Sequence, residues 1–148
     1  MTVKKERRKG IILHKLKQIE ESLALIEENL PSKLEEFLHL GLVKEGIYKK
    51  AEFMVENVID ICSIINSDLA LGIPADEDNI IDNLIKKGII SSAIAEKIRE
   101  MKGFRNILVH KYGEINDEQA FNDINQGMRD FALFIKEIRK FLSKIKVT

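Results

Sequence analysis

Apolar residues in this chain recur alternately four and three positions apart, and over long stretches that spacing restricts the fold to packed α-helices. Ile12, Leu16, Ile19, Leu23, Ile26 and Leu30 form one such seam, and Ile47, Ala51, Met54, Val58, Ile61 and Ile65 form a second. A shorter one runs through Ile94, Ile98 and Met101. The last combines Ala120, Ile124, Phe131, Phe134, Ile138, Phe141 and Ile145. No alternating strand pattern competes with them. The seams therefore predict an all-α helical bundle of four long helices plus one or two short ones.

Punctuation residues set the expected boundaries. The first helix is predicted over Glu6 to Asn29, ending because the residue before Pro31 is driven out of helical geometry. Ser32, with Glu35 three positions on, reads as a capping box for the next helix. Gly41 and Gly46 weaken the early part of 33–66, so a short helix followed by a long one is expected there. The segment DLALGIPADED reads as a loop ending in acidic residues, followed by a short helix over Asn79 to Lys87 that stops at Gly88. Ser91 or Ser92 caps the next helix, and Gly113 marks its exit. Asn116, with Gln119 completing an approximate capping box, opens a final helix over Asp117 to Ile145.

At 148 residues the chain suits one domain, expected over 6–146, with 1–5 as a flexible basic N-terminal extension. Charges break the apolar run after MTVKKERRKG, so neither a secretion signal nor a membrane span is expected there. A single cysteine, Cys62, lies in an apolar run. That reads as a buried structural thiol in a reducing, cytoplasmic setting. With 24 basic and 24 acidic residues the formal net charge is zero, which excludes a generally basic nucleic-acid coat. Local basic runs remain, among them KKERRK, the set Lys97, Arg99 and Lys102, and the set Lys136, Arg139, Lys140 and Lys144. Each reads first as a solvated helix face, and several together could guide a phosphate backbone if the fold converged them.

Chemistry concentrates in MKGFRNILVHKYGEIN, residues 101–116. Asn106 and His110, four apart, share a helix face, as do Arg105 and Tyr112 at seven apart. Arg105 and His110 are five apart, which on a straight helix separates them by about 140°. Either a helix end that loosens near His110, or a second copy of the segment, would have to bring both onto one phosphate. An imidazole exchanges protons near neutrality, and a guanidinium offers fixed donors to phosphoryl oxygens. His14, His39 and His110 lie on separate segments without metal-ligand spacing, and no Gly-rich phosphate loop or nucleophile elbow occurs. Neither a metal nor a cofactor is expected.

The run RNILVHKYGEIN, with the pattern R-x4-H-x-Y at Arg105, His110 and Tyr112, resembles the signature of HepT-like proteins. They belong to the larger group of helical domains, abbreviated HEPN, associated with nucleotide-binding proteins in higher eukaryotes and prokaryotes. The likeness extends over about residues 8 to 145, including the helix ending VENVIDICSIIN before the motif and the amphipathic helix after it. It implies a helical homodimer acting as an endoribonuclease toxin on RNA, without a metal, encoded beside a small nucleotidyltransferase antitoxin. Arg105 and His110 take the catalytic positions in this resemblance, with Asn106 in support. Tyr112 takes the position that the antitoxin can modify with AMP. Members of the wider group also serve as non-catalytic interaction modules, so the alternative is a helical module that binds a nucleotidyltransferase without turnover.

Overall fold

The computed structural model describes residues 2–144, apart from the side chains of 2–7 and Tyr112. Among the described residues six α-helices follow in order: α1 Thr2–Asn29, α2 Leu34–Leu38, α3 Leu42–Asp68, α4 Glu77–Lys86, α5 Ser92–His110 and α6 Asp117–Ser143. A 3₁₀ turn, Tyr112–Glu114, joins α5 to α6. Four of these helices are long and two are short, as the seams predict. Among the described residues no helix is long and apolar enough to cross a membrane.

The long helix α3 lies at the centre, in contact with α1, α4 and α5, while α6 closes against α5, α1 and α2. All six residues of the α3 seam are buried, as are Ile12, Leu16, Ile19 and Ile26 of α1. Leu23 and Leu30 are partly buried against the same core. Phe134 and Ile138 of α6 are fully covered, whereas Ile145 lies outside the described residues. A fully buried side chain of this size contributes about 1.5–3 kcal/mol. Cys62 is among the residues with no exposed surface, and burial pushes its thiol up to about 12.

Several helix ends depart from expectation. Helical geometry begins at Thr2, upstream of Glu6, because lysine and arginine are good helix formers even where no seam requires them. Ser32 does not cap α2; the N-cap is Lys33, which makes no side-chain cap bond, and Glu35 and Glu36 stabilise the first turn through the helix dipole. The break between α2 and α3 falls at Gly41, with φ of 60°, and Gly46 is absorbed inside α3. Burial of the neighbouring Ile47 and Tyr48 offsets the glycine's cost. α4 begins at Glu77 and not at Asn79, since Asp76 accepts a hydrogen bond from the Asn79 amide at 2.8 Å. Glu77 and Asp78 are thus the first turn of a helix, not part of a loop.

Other caps follow the sequence. The Ser91 hydroxyl accepts from the Ile94 amide at 3.1 Å, and Asn116 Oδ1 accepts from the Gln119 amide at 3.0 Å. The second half of the Asn116 box is missing, because the Gln119 side chain donates instead to Asp123 at 2.9 Å.

The two ends of α3 and α4 share one geometry. After α4, Gly88 at φ 71° donates to the Ile85 carbonyl and Ile89 donates to Leu84. After α3, Ala70 donates to Ser67 and Leu71 donates to Asn66, but here a residue with a side chain holds φ 51°. Both are Schellman closures. Buried Asn66 anchors the second one: its Nδ2 donates to the Gly72 carbonyl and its Oδ1 accepts from Asn83 of α4, each at 3.0 Å. A left-handed alanine costs about 1–2 kcal/mol, part of which a glycine returns through greater freedom of the unfolded chain. Ala70→Gly is therefore expected to stabilise the fold by about 0.5–1 kcal/mol, read as a higher urea midpoint. An unchanged or lower midpoint would contradict the strain at Ala70.

Candidate functional site

α5 carries Arg105, Asn106 and His110, and the 3₁₀ turn carries Tyr112. The helix stays regular through His110; the Lys111 amide still bonds the Ile107 carbonyl at 3.0 Å. No loosening occurs at His110, so Arg105 and His110 of one chain keep the wide angular separation of an ideal helix. Asn106 and His110 are both exposed. Ile107 and Val109 beside them leave about two-fifths of their surface open, at 38 % and 44 %. Next to this stretch, a cleft of about 570 Å³ between α3 and α5 is lined by Glu45, Tyr48, Lys49, Glu52, Leu108 and Val109.

Arg105 reaches across to α4. Its side chain is only 16 % exposed and makes two hydrogen bonds to the first residue of α4: Nη2 to Glu77 Oε1 at 2.9 Å and Nη1 to Oε2 at 3.3 Å. Nη2 also donates to Asn106 Oδ1 at 3.2 Å. This pair belongs to a ladder between α5 and α4. Lys102 donates to Asp78 at 3.0 Å and approaches Glu77 at 3.6 Å, and Arg99 donates to Asp82 at 2.5 Å. Lys97 pairs with Glu100 within α5, and Arg139 with Glu20 of α1. Each residue of the basic run before the motif is thus paired with a carboxylate, Arg99 and Lys102 with α4 and Lys97 within α5.

Hydrogen bonds from Arg105 hold the Glu77 carboxyl below its ordinary value; burial opposes this, and the charges of Arg105 and Lys102 add to it. Arg105 is raised correspondingly, first by its bond to Glu77, with Glu56 and Glu52 of α3 contributing. Sequence reasoning missed Glu77 as a partner of Arg105, because the two are 28 positions apart. The only local signal was an acidic pair opening a helix.

A second network fixes the far side of the turn. The Tyr48 hydroxyl donates to Asp117 Oδ1 at 2.5 Å, and Lys44 donates to Oδ2 at 2.8 Å. Burial would raise the Asp117 carboxyl, but the bonds from Lys44 and Tyr48 and the Lys44 charge prevail and hold it low. Asp117 is the first residue of α6, so this clamp ties the start of α6 to the start of α3 just after the 3₁₀ turn. Among the described residues no group of three or more His, Cys, Asp or Glu side chains converges as a metal site.

The family model described as "Ribonuclease HepT-like" matches residues 19–138. An Archaeoglobus fulgidus protein, provisionally named as an RNase, is 26% identical over 134 residues, covering 90% of this chain and 95% of its own. The mRNA nuclease HepT of Shewanella oneidensis is 28% identical over 97 residues, covering 66% of this chain and 73% of its own. Among solved structures, a tri-AMPylated Shewanella oneidensis HEPN toxin in complex with an MNT antitoxin superposes with a TM-score of 0.79 at 25% identity. That match covers 88% of this chain and 97% of the other.

The lowered carboxyls give a pH prediction. A carboxyl held below its unfolded value adds stability above that value and loses it as pH falls through the folded one. Stability should therefore decline below the ordinary values of 4.5 for Glu77 and 3.8 for Asp117. Glu77→Gln should lower the urea midpoint more at pH 6 than at pH 3. An equal deficit at both pH values would contradict a charge-dependent role.

Proposed function

This chain belongs to the ribonuclease HepT-like family, and on that premise we propose that it is a metal-independent endoribonuclease, the toxin of a pair with a small nucleotidyltransferase antitoxin. The observation that carries the reading is the family match across residues 19–138, which takes in Arg105 and His110 of α5 and Tyr112 of the following 3₁₀ turn. The toxin–antitoxin complex among the structural matches supports the proposed pairing.

RNA supplies its own nucleophile. The 2′-oxygen loses its proton and attacks the adjacent phosphorus, the bond from phosphorus to the 5′-oxygen breaks, and that oxygen takes up a proton. The products are a 2′,3′-cyclic phosphate and a 5′-hydroxyl end. In this scheme His110 performs proton transfer, Arg105 stabilises the pentacoordinate phosphorus, and Asn106 supports the guanidinium. One imidazole cannot serve both oxygens in a single geometry, and within one chain Arg105 and His110 diverge. A homodimer answers both difficulties by supplying two copies of each group to a shared cleft. The half-exposed Ile107 and Val109 beside His110 offer apolar surface for such a contact.

Pairing of Arg105 with Glu77 also suits the alternative, a non-catalytic module in which the arginine is structural. Incubation with mixed cellular RNA in excess EDTA separates the two. The chain should cleave, and His110→Ala should lose about 10²- to 10⁴-fold in rate, the usual share of general acid–base catalysis. The same preparation should sediment at twice the 17.0 kDa of one chain. Equal cleavage by both proteins, or none from a folded dimer, would count for the alternative.

Control falls to Tyr112 in this reading. Its hydroxyl oxygen attacks the α-phosphorus of ATP on the partner enzyme, pyrophosphate leaves, and an AMP ester remains near the RNA path. The added negative charge and nucleoside bulk would oppose RNA binding. Tyr112→Phe, which lacks the acceptor oxygen, should keep cleaving after incubation with the nucleotidyltransferase and ATP, while the parent gains AMP by intact mass and stops. An adduct at another residue, or full activity after complete modification, would reject this control.

A further inference from the structure

A guanidinium has five N–H donors arranged on two edges that can each grip an anion at two points. The end-on edge pairs Nη1 with Nη2, and the side-on edge pairs Nε with Nη2. In Arg105, Glu77 takes one donor from each nitrogen of the end-on edge. Asn106 takes the remaining Nη2 donor, which breaks up the side-on edge. Nε–H and one Nη1–H are left, on opposite sides of the fork. A phosphodiester arriving here could make single bonds to Arg105 but no two-point grip. It would also meet a charge already balanced by Glu77 and shaded by Glu52 and Glu56.

The carboxylate has somewhere to go. Lys102 Nζ already stands 3.6 Å from Glu77 Oε1, and the Glu77 side chain is 37% exposed. Its backbone does not need to move, because Asp76 caps α4 and Asn83 ties the helix to Asn66 of α3. A side-chain swing from Arg105 towards Lys102 and solvent would free the end-on edge.

We propose that Glu77 is an internal stand-in for substrate phosphate, a carboxylate that occupies the phosphate-gripping edge of Arg105 and sets RNA affinity by competing for it. The proposal rests on reading Arg105 as the RNA-facing arginine. Glu77 touches neither substrate nor reacting atoms; it acts through Arg105, and its effect belongs in binding and KM rather than in kcat.

The test uses the full-length protein and a fluorescein-labelled single-stranded oligoribonucleotide with 2′-O-methyl sugars, which cannot cyclise, followed by anisotropy. Cleavage of the unmodified strand in EDTA is measured in parallel. Glu77→Gln keeps size and an acceptor oxygen but removes the charge, so Arg105 should be released more readily. Binding should tighten about tenfold, the usual difference between a charge-assisted and a neutral hydrogen bond, and KM should fall by a similar factor. In an Arg105→Ala background the substitution should change nothing. Should Glu77→Gln fail to fold, Glu77→Asp keeps the charge, shortens the reach and should tighten binding by a smaller, still Arg105-dependent factor. Unchanged affinity, a gain that survives without Arg105, a fall in kcat with KM constant, or no binding by either protein would each overturn the proposal. Cleavage by the parent with no gain in Glu77→Gln ends the competition and leaves the ribonuclease reading standing. An Arg105-dependent gain on the uncleavable strand with no cleavage of RNA does the reverse.

Discussion

A 27-residue helix with apolar side chains around most of its circumference cannot be covered by one neighbour, and α3 is such a helix. Its buried set runs from Ile47 to Ile65 and includes residues outside the regular seam, such as Val55, Ile59 and Cys62. Water must be excluded from several sides at once, so α1, α4 and α5 all lie against it. The placement of α5 and of the groups it carries follows from that enclosure. α5 is pinned by Ile94, Ile98 and Met101, which leaves the face bearing Asn106 and His110 outside and turns Arg105 towards α4. The clamp of Tyr48 and Lys44 on Asp117 then fixes where the chain re-enters the bundle after the 3₁₀ turn.

The balanced charge of the chain acquires a spatial meaning in this arrangement. Zero net charge could have come from two segregated patches or from matched rows, and between α4 and α5 it comes from matched rows. Arg99, Lys102 and Arg105 recur every three residues, so they climb one side of α5. Asp78 and Asp82 lie one turn apart on α4, with Glu77 at its start. Exposed pairs of this kind contribute little individually. Arg105 with Glu77 differs in being bidentate and mostly covered, which makes it the rung with a defined geometry.

What could be read from the sequence was set by the range of the interactions involved. The seams were legible because helical burial repeats within four residues, and Ser91, Asn116 and Gly88 announced helix ends because each acts on amides or carbonyls within one turn. Ala70 performs the same closure as Gly88 yet gave no sign of it, since alanine carries no preference for left-handed geometry and tertiary anchoring through Asn66 imposes it. Ser32 misled for the opposite reason: its hydroxyl was available, but α2 begins one residue later than the box requires. Arg105, Asn106, His110 and Tyr112 stood out as a cluster of chemistry-bearing residues. Glu77 did not, and neither did the Tyr48–Asp117 bond across 69 positions, because those contacts exist only once helices have packed.

Cys62 sits without exposed surface on the central helix α3, and it is the only cysteine in the chain. Its sulfur meets solvent only when the packing around it opens. The fold thereby carries an intrinsic clock: the rate at which a thiol reagent labels the native protein counts the openings of its centre, with no probe introduced and no competing sulfhydryl to subtract.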